Sequence, residues 1–125
     1  MNFPTDLRYT KDNEWISLNG DTATIGITDF AQQELGDIVY VEIETVGKTL
    51  DADAVFGSVE AVKTVSDLFL PVAGTITELN SDLAATPELV NTDPYGKGWM
   101  IKMKVKNPAD VNNLMDAAAY SEMAG

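Results

Sequence analysis

The chain has 125 residues and a mass of 13.5 kDa, and its 8 Lys and Arg residues against 20 Asp and Glu residues give a net charge of −12. This length suits a single domain, and the excess of acids opposes binding to nucleic acid or anionic membranes and favours basic protein surfaces as partners. The chain contains no Cys and no His, which excludes disulfides, thiol nucleophiles, Cys-ligated zinc and His-based catalytic triads.

The opening segment, MNFPTDLRYTKDNEWI, lacks the basic and apolar regions of a signal peptide and the Arg- and Ser-rich run of a transit peptide. No apolar segment is long enough to cross a bilayer. We therefore expect a soluble protein of a bacterial cytoplasm, although a processed organellar form would have the same features.

The first half of the chain predicts strands and one helix. Asn19-Gly20 lies between two alternating runs and predicts a hairpin with strands near 13–18 and 22–27. TDFAQQELG predicts a short helix that is capped by Thr28 or Asp29 and ends at Gly36. DIVYVEIE then predicts a strand, and VGKTLDADA predicts a turn, a short strand and a loop.

The middle of the chain predicts three further strands. Residues 54–62 and 65–72 are extended by composition and flank Lys63, and GTITELN continues as another strand. In TPELVN, Thr86 is expected to cap a helical turn that has Pro87 at its first position.

The last part of the chain predicts a strand and a C-terminal helix. GWMIKMKV alternates in a way that predicts a strand with one polar face, formed by Gly98, Met100, Lys102 and Lys104. The segment from Asn107 onward predicts a helix that packs Val111, Leu114, Met115 and Tyr120 on the body. Many short strands with small helices indicate a mainly β, antiparallel sandwich or barrel. Large aromatic residues in strands usually lie in the core, so we expect this of Trp15, Tyr40 and Trp99.

Lys63 is the only Lys or Arg between Lys48 and Lys97. If the flanking strands pair, the chain reverses here without Gly, Pro or Asn, which a type I turn permits. The amine would then project into water from a rigid support, a position suited to attachment of a group. The alternative is an ordinary exposed lysine.

The segment VEAVKTVSDLFLPVAGTITELN resembles the region around the lipoyl-lysine in the H-protein family of the glycine cleavage system. The matching positions are Val59, Glu60, Val62, Lys63, Ser66, Asp67, Pro71, Val72, Gly74 and Asn80. The resemblance continues through EWI, TIGITDFAQQELGDIVYVEI, VGKTL, PELVN, PYGKGWMIKMKV and LMDAAAY. The chain departs from the family at Asn13, where the family often has His, and at Ala61, Thr64, Val65 and Ala73.

The resemblance implies a barrel-sandwich hybrid like that of lipoyl domains, with two antiparallel sheets, short helices and a C-terminal helix. It implies a carrier that is not itself catalytic, with lipoate in amide linkage to Lys63. The implied partners are glycine decarboxylase (P protein), aminomethyltransferase (T protein), dihydrolipoyl dehydrogenase (L protein) and the lipoylating enzymes. Lipoate would supply redox chemistry that a chain without Cys lacks, and a monomer is expected of a shuttle that docks on several enzymes.

The resemblance also implies a cleft for the loaded arm. Glu14 and Asp67 match the acids that hold the amine, Ile27 matches the apolar wall, and Asp12 is an additional candidate. Glu60 is expected to help present the lysine or to guide the lipoylating enzyme. The alternative is that Glu14, Asp67 and Glu60 are solvated acids and Ile27 is plain core. For the loop NTDPYGKGW, we expect turn structure rather than chemistry.

Four other functions are alternatives for a chain of this composition and length. A biotin carrier would use Lys104, but too little chain follows it before Asn107-Pro108 and the helix. A lipoyl domain of a 2-oxo acid dehydrogenase typically has Asp-Lys-Ala and a Pro/Ala linker, which this sequence lacks. A small β enzyme could use Glu14, Glu60 and Asp67, although their spacing does not determine their separation. A relative that relays lipoate to other proteins stays open.

Overall fold

The computed structural model describes residues 2–124, which form two antiparallel sheets. In the larger sheet the strands follow the order β1-β2-β3-β9-β8-β5. Their bounds are β1 Arg8–Tyr9, β2 Glu14–Asn19, β3 Thr22–Ile27, β5 Thr49–Leu50, β8 Gly74–Leu79 and β9 Ile101–Val105. The smaller sheet has the order β4-β6-β7, with β4 Ile38–Glu42, β6 Val55–Ala61 and β7 Val65–Phe69.

Short helices connect or close these strands. They are α1 Asp29–Leu35, α2 Asp82–Ala85, α3 Leu89–Thr92, a 3-10 helix Pro108–Asn113 and α4 Ala117–Ala124. No helix within the described residues is long and apolar enough to span a membrane. The architecture confirms the predicted mainly β fold of two antiparallel sheets with short helices and a helix at the C-terminal end.

Side chains from both sheets form one core. Its fully buried members include Ile16, Ile25, Phe56, Val59, Leu70, Ile76, Met100, Ile101 and Met103. A second, aromatic cluster lies where α4 contacts β1, and there the rings of Tyr9 and Tyr120 stack with their centroids 4.8 Å apart. Packed side chains therefore cover both faces of the larger sheet.

Local signals predicted the first elements correctly. Asn19 pairs with Thr22 across a turn in which Gly20 has a φ of 68°, as a tight hairpin requires. The side chain of Thr28 caps α1 by accepting a hydrogen bond from the N–H of Ala31 at 3.1 Å, and Gly36 ends the helix.

The predicted cap at Thr86 is wrong. Thr86 instead ends α2, a helix that the sequence did not predict, because its N–H donates to the carbonyl of Asp82 at 2.9 Å. The next helix, α3, begins at Leu89, with Glu88 at its N-cap position and no side-chain cap.

The single helix predicted from Asn107 onward is also wrong. Met115 exchanges two backbone hydrogen bonds with Tyr9, of 2.8 and 3.0 Å. This pairing requires extended backbone, so it separates the 3-10 helix from α4. Val111 and Tyr120 are buried as predicted, whereas Leu114 and Met115 are only partly buried.

Two side chains differ from the prediction in their burial. Met100 was placed on a polar face, but it is fully buried because it precedes the regular strand, and its N–H donates to the carbonyl of Ile25 at 2.8 Å. Tyr40 was expected in the core, but 51% of its surface is exposed on β4. Trp15 is buried as predicted, and Trp99 is partly buried against the aromatic cluster.

Candidate functional site

Lys63 lies in the turn that joins β6 to β7, as its isolation in the sequence suggested. The turn is closed by a 2.7 Å hydrogen bond from the N–H of Ala61 to the carbonyl of Thr64. Lys63 is exposed, and within residues 2–124 it forms no ion pair, since the pair observed there joins Lys104 to Asp21 at 4.0 Å. The amine is therefore displayed to solvent at a hairpin tip.

β4, which pairs with β6 in the smaller sheet, holds this tip in place. Ala61 is buried and pairs with Ile38 at the start of β4. The N–H of Val62 donates to the carbonyl of Asp37 at 3.1 Å. Because the tip is bonded to a neighbouring strand as well as closed on itself, the support beneath Lys63 is rigid.

Glu60 lies on the outer face of the smaller sheet. It pairs with Tyr40 on one side and with Val65 on the other, and its side chain is exposed. It is thus close to the base of the Lys63 hairpin but contributes nothing to the core.

A cleft of about 120 Å³ opens beside the strand that leaves the hairpin. It brings together Ile27, Asp67 and Asp12, three of the residues that were predicted to hold the arm. Its full lining is Asp12, Asn13, Ile27, Ala31, Glu34, Leu35, Val59, Ser66, Asp67 and Leu68. The cleft therefore combines an apolar surface with several acids at its edge.

The sequence did not identify Glu34, Leu35 and Ser66 as part of this cleft. Glu34 and Leu35 follow Ala31 by three and four residues on α1, so all three share one helical face. Ser66 directly precedes Asp67 in the sequence. The signal for both groups was spacing alone, and it gains meaning only once α1 and β7 are known to line the same cleft.

Glu14 was predicted to contact the arm, but it does not line the cleft. Its side chain is only 1% exposed. One carboxylate oxygen, Oε2, accepts a 2.7 Å hydrogen bond from the N–H of Phe69, and Oε1 accepts one of 3.2 Å from the hydroxyl of Thr10. Glu14 is therefore not the solvated acid of the alternative interpretation.

The surroundings of Glu14 favour its neutral form. Burial, which strips water from the carboxylate, raises its pKa from 4.5 to about 8. The hydrogen bonds from Phe69 and Thr10 oppose this rise, whereas the negative charges of Asp12 and Asp53 add to it. A cation brought close to this carboxyl would shift the balance back toward ionisation.

Asn13 ties the rim of the cleft to the C-terminal helix. Its φ of 67° is left-handed, a conformation that Asn tolerates better than most residues. Its Oδ1 accepts a 2.9 Å hydrogen bond from the hydroxyl of Tyr120, and the same hydroxyl lies 2.7 Å from the Oγ1 of Thr28. At the position where the resembled family often has His, this chain thus has a residue that supports the cleft.

Asn91 fixes the other end of α1 and was also missed. Its Oδ1 accepts from the N–H of Ile38 at 2.9 Å, while its Nδ2 donates to the carbonyl of Gly36 at 2.9 Å and to the Oε1 of Gln32 at 3.0 Å. One side chain therefore joins α1, α3 and the start of β4. The match of PELVN was its only signal in the sequence.

The part of NTDPYGKGW that follows α3 contains hydrogen-bonded turns, as the sequence predicts. The carbonyl of Asp93 accepts from Gly96 and Gly98 at 3.1 and 2.9 Å, and its Oδ2 accepts from the N–H of Lys97 at 2.9 Å. A Cβ at Gly96 would lie 2.5 Å from the same Oδ2, so a larger residue there would displace the Asp93 carboxylate from its bond with Lys97.

No group of acidic residues able to hold a metal ion occurs within the part of the chain that the structure describes. The site therefore offers two features: the exposed amine of Lys63, and a cleft with an apolar lining and acids at its edge.

Comparison with known proteins agrees with this geometry. A family model described as "Glycine cleavage H-protein" matches residues 7–125. A glycine cleavage system H protein of Chlorobium phaeovibrioides is 64% identical over 127 residues, which cover 100% of this chain and 99% of that protein. One of Bacteroides fragilis is 61% identical over 120 residues, covering 96% and 95%.

A solved structure is similar over almost the whole chain as well. The crystal structure of a glycine cleavage system H protein from Mycobacterium marinum superposes with a TM-score of 0.87 at 39% identity, and the match covers 96% of this chain and 97% of that one.

Proposed function

The chain belongs to the glycine cleavage H-protein family, and on this premise we propose that it serves the glycine cleavage system as a lipoyl-lysine carrier. Lipoate is held in amide linkage on Lys63. The carrier shuttles the aminomethyl group of glycine from the pyridoxal-phosphate-dependent glycine decarboxylase to the tetrahydrofolate-dependent aminomethyltransferase, and passes electrons to dihydrolipoyl dehydrogenase.

The observation that carries this proposal is the display of Lys63. Its amine is exposed at the tip of a hairpin whose strands belong to a packed sheet. Such an amine is accessible to an attaching enzyme, and the group that it holds can reach away from the body. Lipoate supplies a dithiolane for group and electron transfer, which a chain without Cys does not have.

The residues beside the hairpin fit such a group. β7 leads from Lys63 to Asp67, a span of roughly 13 Å for a strand at ~3.3 Å per residue, so a long flexible tether can fold back to the cleft. Ile27, Leu35 and Leu68 offer apolar contacts for the tether, and Asp67 offers a carboxylate for a cationic amine at its end. A closed cleft also keeps water from a hydrolysable load.

Glu14 has an indirect part in this arrangement. It pairs with Ile27 and accepts a hydrogen bond from the N–H of Phe69, the residue after Leu68, so it supports two residues that line the cleft. An ammonium group brought close to Glu14 would favour the charged form of its carboxyl group. Glu60 lies on the outer face, where it helps to display Lys63 to the attaching enzyme and does not contact the docked arm.

The protein itself is proposed not to be catalytic. Of the three acids that the enzyme alternative required, Asp67 lines the cleft, whereas Glu14 and Glu60 do not. We further propose a monomer in the bacterial cytoplasm, in keeping with the bacterial relatives.

Lipoylation followed by mass spectrometry tests the proposal. The wild-type chain is incubated with lipoate, ATP and a lipoate ligase, and the intact mass and modified peptide are determined. One lipoyl group on Lys63 is expected, none on a Lys63→Arg variant, and one on the control Lys104→Arg. The lipoylated wild type is expected to support glycine-dependent carbon dioxide exchange with the decarboxylase. Lipoyl uptake or exchange by Lys63→Arg would refute the proposal.

A further inference from the structure

The outer face of the smaller sheet exposes apolar side chains on both sides of Glu60, near the Lys63 turn. Tyr40, Glu60 and Val65 form one row across β4, β6 and β7. Tyr40 is 51% exposed, Val65 is 62% exposed, and Val62 in the turn is 71% exposed. Within residues 2–124 these are among the most exposed large apolar side chains, and Val62 and Val65 lie within two residues of Lys63 in the chain. We call this row, together with Val62, the tip face.

The border of the tip face is acidic. The next row across the same three strands is Glu42, Ser58 and Asp67, and both acids are exposed. A shallow groove of about 240 Å³ continues from this row to Glu44 and Val55. Between Asp37 and Phe69, the stretch that contains the smaller sheet, Lys63 is joined by only one other basic residue, Lys48.

Other lysines have different surroundings. Lys102 lies over the ring of Trp99, 5.1 Å from its centroid, and Lys104 pairs with Asp21 at 4.0 Å. An enzyme that modifies one of the seven lysines of this chain must recognise something besides an amine, because all of them carry the same charge.

We propose that the tip face is the docking surface by which the lipoate-attaching enzyme selects Lys63. This inference rests on the proposed function. The matching surface of that enzyme has an apolar pocket for Tyr40, Val62 and Val65, bordered by Lys or Arg that face Glu42 and Asp67. Tyr in a partly exposed row is a common anchor of such interfaces, and complementary charge speeds the encounter.

A second copy of the chain fits this face poorly. Pairing two tip faces would bring Glu42, Glu60 and Asp67 of one copy against the same acids of the other, and like charges across an interface are unfavourable. The acidic border therefore favours a basic partner over self-association.

The docking step serves a balanced reaction. ATP activates the carboxyl group of lipoate as its adenylate and pyrophosphate leaves. The Nζ of Lys63 then attacks the carboxyl carbon, an amide bond forms, AMP leaves, and the amine releases a proton. The tip face takes no part in these bonds, so its loss should act on recognition and not on chemistry.

Initial rates of lipoylation, with lipoate and ATP saturating and the carrier varied, test the inference. In a Tyr40→Ser/Val65→Thr variant, the KM for the carrier is expected to rise about tenfold while kcat stays unchanged, as for the loss of interface anchors. Met123→Ser is the matched control, because Met123 is 47% exposed on α4, away from the tip face.

The charge of the border is tested in the same assay. Glu42→Gln should raise the KM and weaken its dependence on salt between about 0.05 M and about 0.3 M. Glu122→Gln on α4 is the charge-matched control and should leave both unchanged. Far-UV circular dichroism checks that each variant is folded, and Val62→Thr, which alters only the turn, replaces the double variant if that one is not folded.

The outcomes separate this inference from the proposed function. If the wild type takes up no lipoyl group, the proposed function fails. If the wild type is lipoylated and the KM of each tip-face variant stays within about twofold of the wild-type KM, only the docking inference is overturned. The loss of an interface anchor would raise the KM by more than that. A fall in kcat without a change in KM also overturns it.

Discussion

The carboxylate of Glu14 accepts a 2.7 Å hydrogen bond from the backbone N–H of Phe69. Glu14 begins β2 of the larger sheet and Phe69 ends β7 of the smaller one, so this bond joins the two sheets next to Ile27 and Leu68, which line the cleft. Because burial raises the pKa of Glu14 to about 8, the stability of the fold depends on the protonation of this side chain.

The stability contributed by Glu14 should fall as pH rises. Between its ordinary pKa of 4.5 and its folded pKa of about 8, the folded chain retains a proton that the unfolded chain has lost, so folding is disfavoured increasingly with pH. Gln at this position does not ionise. The free energy of unfolding of the wild type minus that of Glu14→Gln should therefore decrease by about 1.4 kcal/mol per pH unit in this window.

Urea unfolding at several pH values between about 5 and about 8 measures this difference. Glu122→Gln, on the exposed side of α4, is the control and should give a flat difference. A flat line for Glu14→Gln too would mean that its carboxyl has an ordinary pKa.

Asp67 should protect the loaded arm. In the lipoylated carrier, Asp67→Asn removes a carboxylate that faces a cationic amine, and a charge-assisted hydrogen bond becomes a neutral one. We expect the aminomethyl load to hydrolyse faster, by about tenfold for a loss of roughly 1.4 kcal/mol. The release of ammonia from loaded carrier over time is the measurement.

Glu78→Gln, an exposed acid on β8, is the matched control for the loss of one charge. The stability of Asp67→Asn should equal that of the wild type because Asp67 is exposed. Equal rates of release in all three proteins would show that the acid edge of the cleft does not hold the amine.

The hydroxyl of Tyr120 should stabilise the rim of the cleft. It contacts Asn13 Oδ1 at 2.9 Å and Thr28 Oγ1 at 2.7 Å. Tyr120→Phe removes both contacts without changing the packing of the ring, and we expect a loss of about 1–2 kcal/mol in the free energy of unfolding. Denaturant unfolding measures it.

Two substitutions at Asn13 separate the contribution of its side chain to stability from that of its backbone. Its φ is 67°, so Asn13→Gly should lose only the hydrogen bond, whereas Asn13→Ala should lose about 1 kcal/mol more through left-handed backbone strain. If the Gly variant is the less stable of the two, the backbone at this position is not under this constraint.

Asn91 should not tolerate its charged isostere. Asn91→Asp keeps the shape but replaces the donors to Gly36 O and Gln32 Oε1 by an oxygen, which places a carboxylate against two acceptors. We expect a loss of about 2–4 kcal/mol, larger than that for hydrogen bonds alone, with thermal unfolding as the measurement. The same change at exposed Asn112 should have little effect, and comparable losses at both sites would contradict the role of Asn91.

Much of the fold could be predicted because its signals are local. Asn19-Gly20 suits the left-handed turn of the β2–β3 hairpin, and Thr28 and Gly36 suit the two ends of α1. The errors share a different cause. Met115 is extended because it pairs with Tyr9, and Met100 is buried because it bonds Ile25; in both cases a distant partner overrides the local pattern.

The candidate site divides in the same way. Lys63 was identified from its isolation and its flanking strands, together with the resemblance of its segment. The cleft was only partly identified, since Glu34 and Leu35 belong to it only because the fold brings α1 and β7 to the same cleft. The hydrogen bonds of Asn13, Tyr120 and Asn91 could not be predicted, because each joins elements that are far apart in the chain.

The amino-acid sequence by itself determined that this protein is an acidic, mainly β chain with one isolated lysine between two strands, since composition and strand alternation depend only on neighbouring residues. The tertiary structure alone decided that Glu14 is buried and bonded to Phe69, and that Tyr40 is exposed on β4. Burial and charge state depend on which distant segments exclude water from a side chain, and this becomes definite only when the two sheets pack.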